Sequence, residues 1–449
     1  MKRDDNVQLN VQAPVIMEYD TVVVGAGVAG ISAAVAAARN GMKTLLVERD
    51  GCVGGTATTG LMVVFMGVSF DTIKGNCETL LRRVEKNGGA FLGANTPFDP
   101  EIFKRESERW LIENGVNMLF HATFAQAIVE DGKITGIIVN VKEGFRTILC
   151  QTLIDATGDA DVAASAGAEF QHATHTQPMT SIFRMDHVDT PVLMEYVRHN
   201  PDQFFNKRGQ MTWVEDHDPP FFSIGGFFDI VKAGRESGEL DLPHDSIWLG
   251  PLPRKGQYFI NTTRVPDLDG TSSIDLSKAE LEVRRQAWNV ADFIVKHFPG
   301  FKDAYIIDIA VRVGVRETRR LLGQFVLTGD DLRSGASYED TIATYDFPMD
   351  IHGAVGGEDT HAWGLIDGAY DIPYRVLVPR TVDNLLVAGR CISVDGEAHG
   401  STRSMPCCMA TGEAAGVAAA IAIKDGCTTA TVDVRKLQKT LVEQGVNLR

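Results

Sequence analysis

Cysteine is sparse in this chain: seven thiols among 449 residues form no CxxC pair, no zinc-finger spacing and no even framework of the kind found in short secreted domains. A disulfide scaffold is therefore excluded, and no metal site is expected. No stretch reaches the roughly 20 consecutive apolar residues of a membrane helix. The opening MKRDDNVQLNVQ lacks an apolar signal core, so the cytoplasm is the expected location. Positive charge is also short, with 43 Lys and Arg against 59 Asp and Glu. The net charge of −16 gives no long-range attraction to nucleic acid or an anionic membrane, and neither is expected as a partner. Internal repeats and low-complexity segments are absent. The hydrophobic fraction of 44% and charged fraction of 23% are those of a globular protein long enough for more than one domain.

Glycine, by contrast, punctuates two strand-to-helix turns at opposite ends of the chain, DTVVVGAGVAG at 20–30 and NLLVAGRCISVDGEAHGSTR at 384–403. The first follows an apolar strand, Thr21 to Val24, and opens an Ala-rich helix, Ile31 to Arg39, which is the context a dinucleotide fingerprint requires. Gly25 permits the tight turn, Gly27 lets backbone approach a pyrophosphate, and Gly30 lets helix and strand pack closely. Free N–H groups at the helix start, with the helix dipole, favour phosphate charge. A second strand, Lys43 to Val47, delivers Glu48 where a ribose hydroxyl is gripped, and the chain runs on into a flexible turn at Gly54 and Gly55. Residues 121–153 alternate around Asp131-Gly132 as a small β-meander would, ending in LIDATGDAD.

These segments, with GVRETRRLLGQFVLTGDD and YDIPYRVLVPRTVDNLLVAGRCIS, resemble the FAD-dependent oxidoreductase group of the glutathione-reductase-type, two-dinucleotide-binding flavoproteins, over nearly the whole chain. The resemblance implies an α/β fold: a Rossmann-like FAD-binding domain with a parallel sheet and β-meander, and an inserted α+β cap. The segments would be 17–172 and 378–449 for the FAD domain and 173–377 for the substrate domain. Gly25, Gly27, Ala29 and Gly30 would face the pyrophosphate, and Glu48 and Arg49 the adenosine ribose. Gly54, Gly55 and Thr56 would lie along the cofactor, Phe124 near adenine, and Thr157, Gly158 and Asp159 near ribose and pyrophosphate. Met405 and Gly412 belong to the last helix, whose N-terminus would point at the flavin pyrimidine ring. The family's usual strand-Gly-Asp is Gly389-Arg390 here, which puts any carboxylate contact to the ribityl chain in doubt. The CxxxxC of the superfamily's disulfide reductases is missing after Gly55, so a dithiol relay is not the mechanism.

Pro406 suits the first turn of that last helix, and Gly426 reads as its stop. Gly412 and Gly416 fall on nearly one face, letting the helix lie close to a ligand or to the sheet. Cys407 and Cys408 sit where a helix dipole lowers a thiol pKa, or else are small packing residues. No histidine or cysteine follows Gly55 closely enough to bond the flavin, although Cys52 precedes it, so FAD is expected to be non-covalent.

The middle region holds a Pro219-Pro220 break, an amphipathic helix near Leu276–Phe298 and short strands such as SIFRMD and QYFINTTRV. Its candidates for chemistry are Arg316, Arg319 and Arg320, spaced to put at least one on a buried helix face and equally suited to inter-domain salt bridges. Asn261 and Arg264 alternate with Thr262 and need not share a face. His352 and Tyr374 precede the second flavin motif. His399 and Arg403 flank Gly400 before the last helix, and the resemblance places them at the isoalloxazine edge. A histidine there moves a proton near neutrality, and an arginine holds a substrate carboxylate or enolate, or stabilises reduced flavin.

The expected function is hydride exchange between flavin N5 and a small organic substrate, anionic if the arginines serve it, with a diffusible electron donor or acceptor. No second GxGxxG marks a nicotinamide domain, since Ser223-Ile224-Gly225-Gly226 and Val355-Gly356-Gly357 lack its spacing. A homo-oligomer is compatible with this reading. The alternatives are an FAD enzyme without net redox turnover, such as a hydratase or isomerase, and an NAD dehydrogenase without flavin.

Overall fold

The computed structural model describes residues 10–173, 176–205, 223–355, 358–366 and 368–449. The opening residues 1–9, Pro219-Pro220 and Gly356-Gly357 lie outside them. Strand Val15–Val24 is apolar over its second half because Thr21 to Val24 are buried between neighbours. It runs parallel to Thr44–Val47 on one side and Gly144–Asp155 on the other. Asn117–Leu119 extends the parallel sheet beyond Thr44–Val47, and Leu385–Val387 pairs in parallel with the end of Gly144–Asp155. The register sets Val24 opposite Val47 and Asp155, Val47 opposite Leu119, and Asp155 opposite Val387. Five parallel strands therefore end level, and the turns at Gly25, Glu48, Ala156 and Ala388 open on one edge. Ligands of open α/β sheets bind in that crevice.

The expected meander is Thr123–Glu130, Lys133–Val141 and Gly144–Asp155. Asp131 and Gly132 both take positive φ, 48° and 77°, as a tight two-residue hairpin loop requires. The last of these strands has two uses along one edge. Its first half pairs with Lys133–Val141, leaving Leu153 to Asp155 for the late-arriving Leu385–Val387.

The fingerprint helix Val28–Arg39 lies against the C-terminal helix Met405–Asp425, which Gly426 stops in the left-handed conformation. A β-carbon on Gly412 would collide with the Ala29 carbonyl, and one on Gly416 with that of Ala33. Gly412, expected against the cofactor, thus serves contact between two helices. Ser32 Oγ donates to the Met409 carbonyl at 2.6 Å, while Asn76 Nδ2 donates to the Ser32 hydroxyl at 3.1 Å. Glu413 closes the network by accepting from the Asn76 N–H at 2.8 Å. Met405–Asp425 is long and apolar enough to span a bilayer, contrary to the sequence expectation, but 89% of its apolar window is buried within the fold.

A second core surrounds a five-stranded antiparallel sheet in the order Ile224–Gly226, Ile247–Pro251, Tyr258–Asn261, Ile182–Asp186, Tyr305–Ile309. Alternation decides its faces. Phe183, Met185, Leu249, Tyr258 and Ile260 share a core with Ala287, Val290 and Ile294 of helix Ser273–His297. Ile182, Trp248, Phe259 and Asn261, the alternate set, face a cavity. The helix expected around Arg316 to Arg320 is absent. Arg319–Leu321 is a strand paired with Phe170–His172, with Arg319 bridged to Asp161 and Arg320 to Glu317.

Two outcomes follow from the helix contact. Gly416→Val should destabilise the fold by about 1–3 kcal/mol or more through overpacking, read as a lowered melting temperature; an unchanged one would refute the close approach. Burial pushes the Glu413 carboxyl up to about 7, against the Asn76 N–H and Arg39. The folded chain then keeps a proton that the unfolded chain sheds at lower pH, so this residue's contribution to stability falls from about pH 4.5 to about 7. Glu413→Gln should lose that component, gaining on the parent protein between pH 5 and pH 8 in thermal melts.

Candidate active site

A cavity of about 620 Å³ opens at the level strand ends and is roofed by the five-stranded sheet, a volume in the range of small-molecule and cofactor sites. The fingerprint turn forms its floor. Gly25 has φ +96°, and a β-carbon there would lie 2.6 Å from the Ala156 carbonyl oxygen. A β-carbon on Gly27 would meet nothing within 4 Å, so this glycine bares its backbone to the cavity. Gly30, expected to face the pyrophosphate, is off the cavity wall: its missing side chain makes room for the Gly25 carbonyl. Ala29 is on the wall.

Helices Val28–Arg39 and Met405–Asp425 both begin at the cavity, and neither has an acidic residue in its first turn. Two positive helix ends without a carboxylate of their own fit a diphosphate and a second electron-rich group. Glu48 is on the wall, as are its sequence neighbours Arg49 and Thr56 and the distant Phe124. Its oxygens accept from the Ala26 N–H at 2.7 Å and the Asp50 N–H at 2.9 Å. Each carboxylate oxygen has a further lone pair for a ribose hydroxyl. Gly54 and Gly55 take φ of +108° and +52° alongside Gly27.

Asp155, at a level strand end, accepts from the Thr157 N–H and hydroxyl and from the Ala163 N–H, which folds the ATGDAD turn. Gly158 and Asp159 are thereby brought to the wall. Arg390 Nη2 donates to Asp159 Oδ1 at 2.8 Å, and its Nη1 to the Val315 carbonyl at 2.7 Å. A carboxylate thus stands across the crevice from Gly389 on Asp159, held by Arg390.

At the far end, Arg403 Nη2 donates to the Asp350 carbonyl at 2.9 Å and pairs with its carboxylate at 3.2 Å. His352 Nε2 lies 3.4 Å from the other Asp350 oxygen. Burial and the neighbouring Arg316 guanidinium hold His352 well below the usual histidine range, keeping it neutral. Arg316 and Arg264 are also on the wall.

Two expected catalytic residues lie elsewhere. His399 is fully buried off the wall, and burial with the charge of Arg403 depresses its proton affinity. Tyr374 is packed in the core, donating to the Thr429 carbonyl at 2.7 Å. Cys407 and Cys408 are buried, and burial pushes the Cys408 thiol, which touches the cavity wall, up to about 12. Sequence reasoning passed over Asp350, Thr180, Trp248 and Phe259. Asp350 stands two residues before His352 on strand Met349–Val355, so period-two alternation would have paired them.

A family model for FAD-dependent oxidoreductases matches residues 20–441. The chain belongs to this family. Its cofactor is therefore FAD, which the glycine floor and the two helix ends fit. Among curated relatives, digeranylgeranylglycerophospholipid reductase 2 of Methanothermobacter thermautotrophicus is 29% identical over 169 residues, 34% of this chain and 43% of that enzyme. The tRNA uridine 5-carboxymethylaminomethyl modification enzyme MnmG of Lactobacillus helveticus is 34% identical over 168 residues, covering 32% and 23%. The chain thus spans less than half of either relative. Solved structures show the same fold over most of the chain. A geranylgeranyl bacteriochlorophyll reductase-like protein of Thermoplasma acidophilum matches 95% of this chain and 84% of its own at TM-score 0.50 and 16% identity. The p-nitrophenol 4-monooxygenase of Pseudomonas putida matches 96% and 85% at TM-score 0.51 and 11% identity.

Gly27 separates cofactor binding from folding. Gly27→Trp places bulk only in the cavity, so the variant should fold with a near-parent apoprotein melting temperature yet purify without flavin absorbance. Full FAD content would overturn the placement of the pyrophosphate.

Proposed function

We propose that this flavoenzyme exchanges a hydride with a small organic substrate bound beneath the five-stranded sheet. The observation that carries the reading is a single cavity that joins the dinucleotide turn to a wall of Arg403, Asp350 and His352. FAD supplies the hydride chemistry at N5 when bound, and the chain supplies position, charge and proton handling. Gly25, Gly27 and Ala29 admit the pyrophosphate and Glu48 takes a ribose hydroxyl. Arg403, fixed by Asp350, stabilises negative charge at the reacting end. His352, neutral and beside Asp350, holds or accepts the proton that accompanies hydride movement, in place of His399. We read the fold more narrowly as the glutathione-reductase type, supported by the meander and by the late strand Leu385–Val387 returning to the sheet. FAD is held without a covalent bond: among the described residues Cys408 is the cysteine on the wall, and it is a buried protonated thiol. The location is cytoplasmic, and electrons pass to or from a diffusible partner.

Anaerobic mixing with candidate substrates tests the reading directly. Loss of the yellow colour supports it, whereas turnover with the flavin oxidised throughout would sink it. Acid precipitation should release all flavin to the supernatant. Arg403→Ala should slow flavin reduction by about 10²–10³-fold while FAD content stays high. His352→Gln should cost about 10²-fold or more and alter the pH profile. Wild-type reduction rates in both variants would move the reacting centre elsewhere.

A further inference from the structure

We propose that two copies of this chain pair through the outer face of helix Ser273–His297, the two helices lying side by side and antiparallel. One face of the helix is spent on the cap core, where Ala279, Val283, Ala287, Val290 and Ile294 are buried. On the opposite face Ile274, Leu281 and Trp288 are 69%, 70% and 52% exposed. They recur every seven residues, and half-buried Val295 continues the series. Seven residues fall about 20° short of two full turns, so side chains at that interval form a row nearly parallel to the helix axis. Single exposed apolar residues are ordinary, but a row of this kind is the seam by which one helix lies along another. The apolar ground continues beyond the helix. Glu280 accepts from the Val313 N–H at 2.7 Å, tying the chain after the edge strand Tyr305–Ile309 to this helix, and Val311 beside that tie is 75% exposed.

The charges flanking the row select the occupant and its direction. Lys278, Arg285 and Asp292 follow at the same interval along one flank, and Asp292 is exposed and makes no ion pair among the described residues. In an antiparallel pair the same flank of each helix meets. A two-fold axis between Leu281 and Trp288 therefore brings Lys278 of each copy to Asp292 of the other. The same axis sets Leu281 against the second copy's Trp288, and Ile274 against its Val295, so the row closes on itself as an isologous contact requires. Arg285 falls at the axis. Each copy brings it there bridged to its own Glu282 at 2.7 Å and Asp241 at 2.8 Å, so the two guanidinium groups meet among four carboxylates. A parallel pair would lay Asp292 against Ala287, which offers it no cation. The contact is smaller than the roughly 1,600 Å² buried in a standard interface, so the dimer should have a dissociation constant on the order of micromolar.

Sedimentation velocity of the full-length holoenzyme from about 1 to 100 μM reads the pairing, since a micromolar dimer forms within that range. The 48.9 kDa chain should pass from monomer to dimer. Leu281→Glu and Trp288→Glu, at exposed positions away from the cavity wall, should weaken the dimer by about tenfold or more through a buried unpaired charge. Melting temperature, FAD content and flavin reduction should stay at parent values in both. Lys278→Asp and Asp292→Lys should each weaken it by about tenfold, because each change acts twice across the axis and sets like charges together. The double exchange should restore parent affinity. A parent that stays monomeric to the top of the range overturns the proposal, and flotation of that monomer with anionic lipid vesicles would give the row to a membrane surface. Parent dimerisation in Trp288→Glu overturns it by moving the interface elsewhere. A double exchange no better than either single variant overturns the antiparallel pairing.

Discussion

Where Gly412 and Gly416 meet the carbonyls of Ala29 and Ala33, two helices lie backbone against backbone, and this fixes how far apart their N-termini stand. One start follows the fingerprint glycines, and the other follows Arg403 and Ser404. Any side chain larger than hydrogen at either glycine would wedge the helices apart and move one positive end away from the crevice. The level strand ends would be of little use without that spacing, because the sheet supplies an edge while the helix pair supplies directed charge. Ser32, Asn76 and Glu413 hold the two helices in register with hydrogen bonds at their buried seam.

Charge at the cavity wall and just beneath it is held by fixed partners. Glu48 is held by backbone N–H groups, Asp155 by a turn it organises itself, and Asp159 by Arg390 together with the Thr318 hydroxyl. Such buried carboxylates cost desolvation and repay it with fixed geometry, which a cofactor site needs before the cofactor arrives. Arg390 shows the same economy, since it sets a cation beside the Asp159 carboxylate at the crevice.

The parts of this architecture that depend on local chemistry were legible in the sequence. Gly25, Glu48, the Asp131-Gly132 hairpin and the Gly426 stop each follow from backbone geometry within a few residues. Ser181-to-Asp186 and Gln257-to-Val265 were readable as strands for the same reason. The misplacements came from residues whose surroundings are assembled from distant segments. His399 looks like a catalytic histidine by its neighbours in sequence, yet the helix Gly396–Thr402 turns it inward. Tyr374 lies close to the motif along the chain, but its hydroxyl bonds Thr429 in the last segment. Gly412 has two possible neighbours by sequence, ligand or helix, and packing against Ala29 decides for the helix. The arginines 316 to 320 have helical spacing, but Arg319–Leu321 pairs as a strand with the distant Phe170–His172.

The pairing of Leu385–Val387 with Leu153 to Asp155 also has a consequence for biosynthesis. The ribosome delivers the fingerprint, the meander and the whole cap before that strand emerges, and at about 5–20 residues per second the interval from Asp155 to Leu385 is on the order of tens of seconds. During it the nascent sheet has an unpaired edge at the very end that must later flank the flavin, the type of edge that recruits foreign strands. Closure of the crevice therefore waits on the emergence of Leu385–Val387, long after the strand it must join.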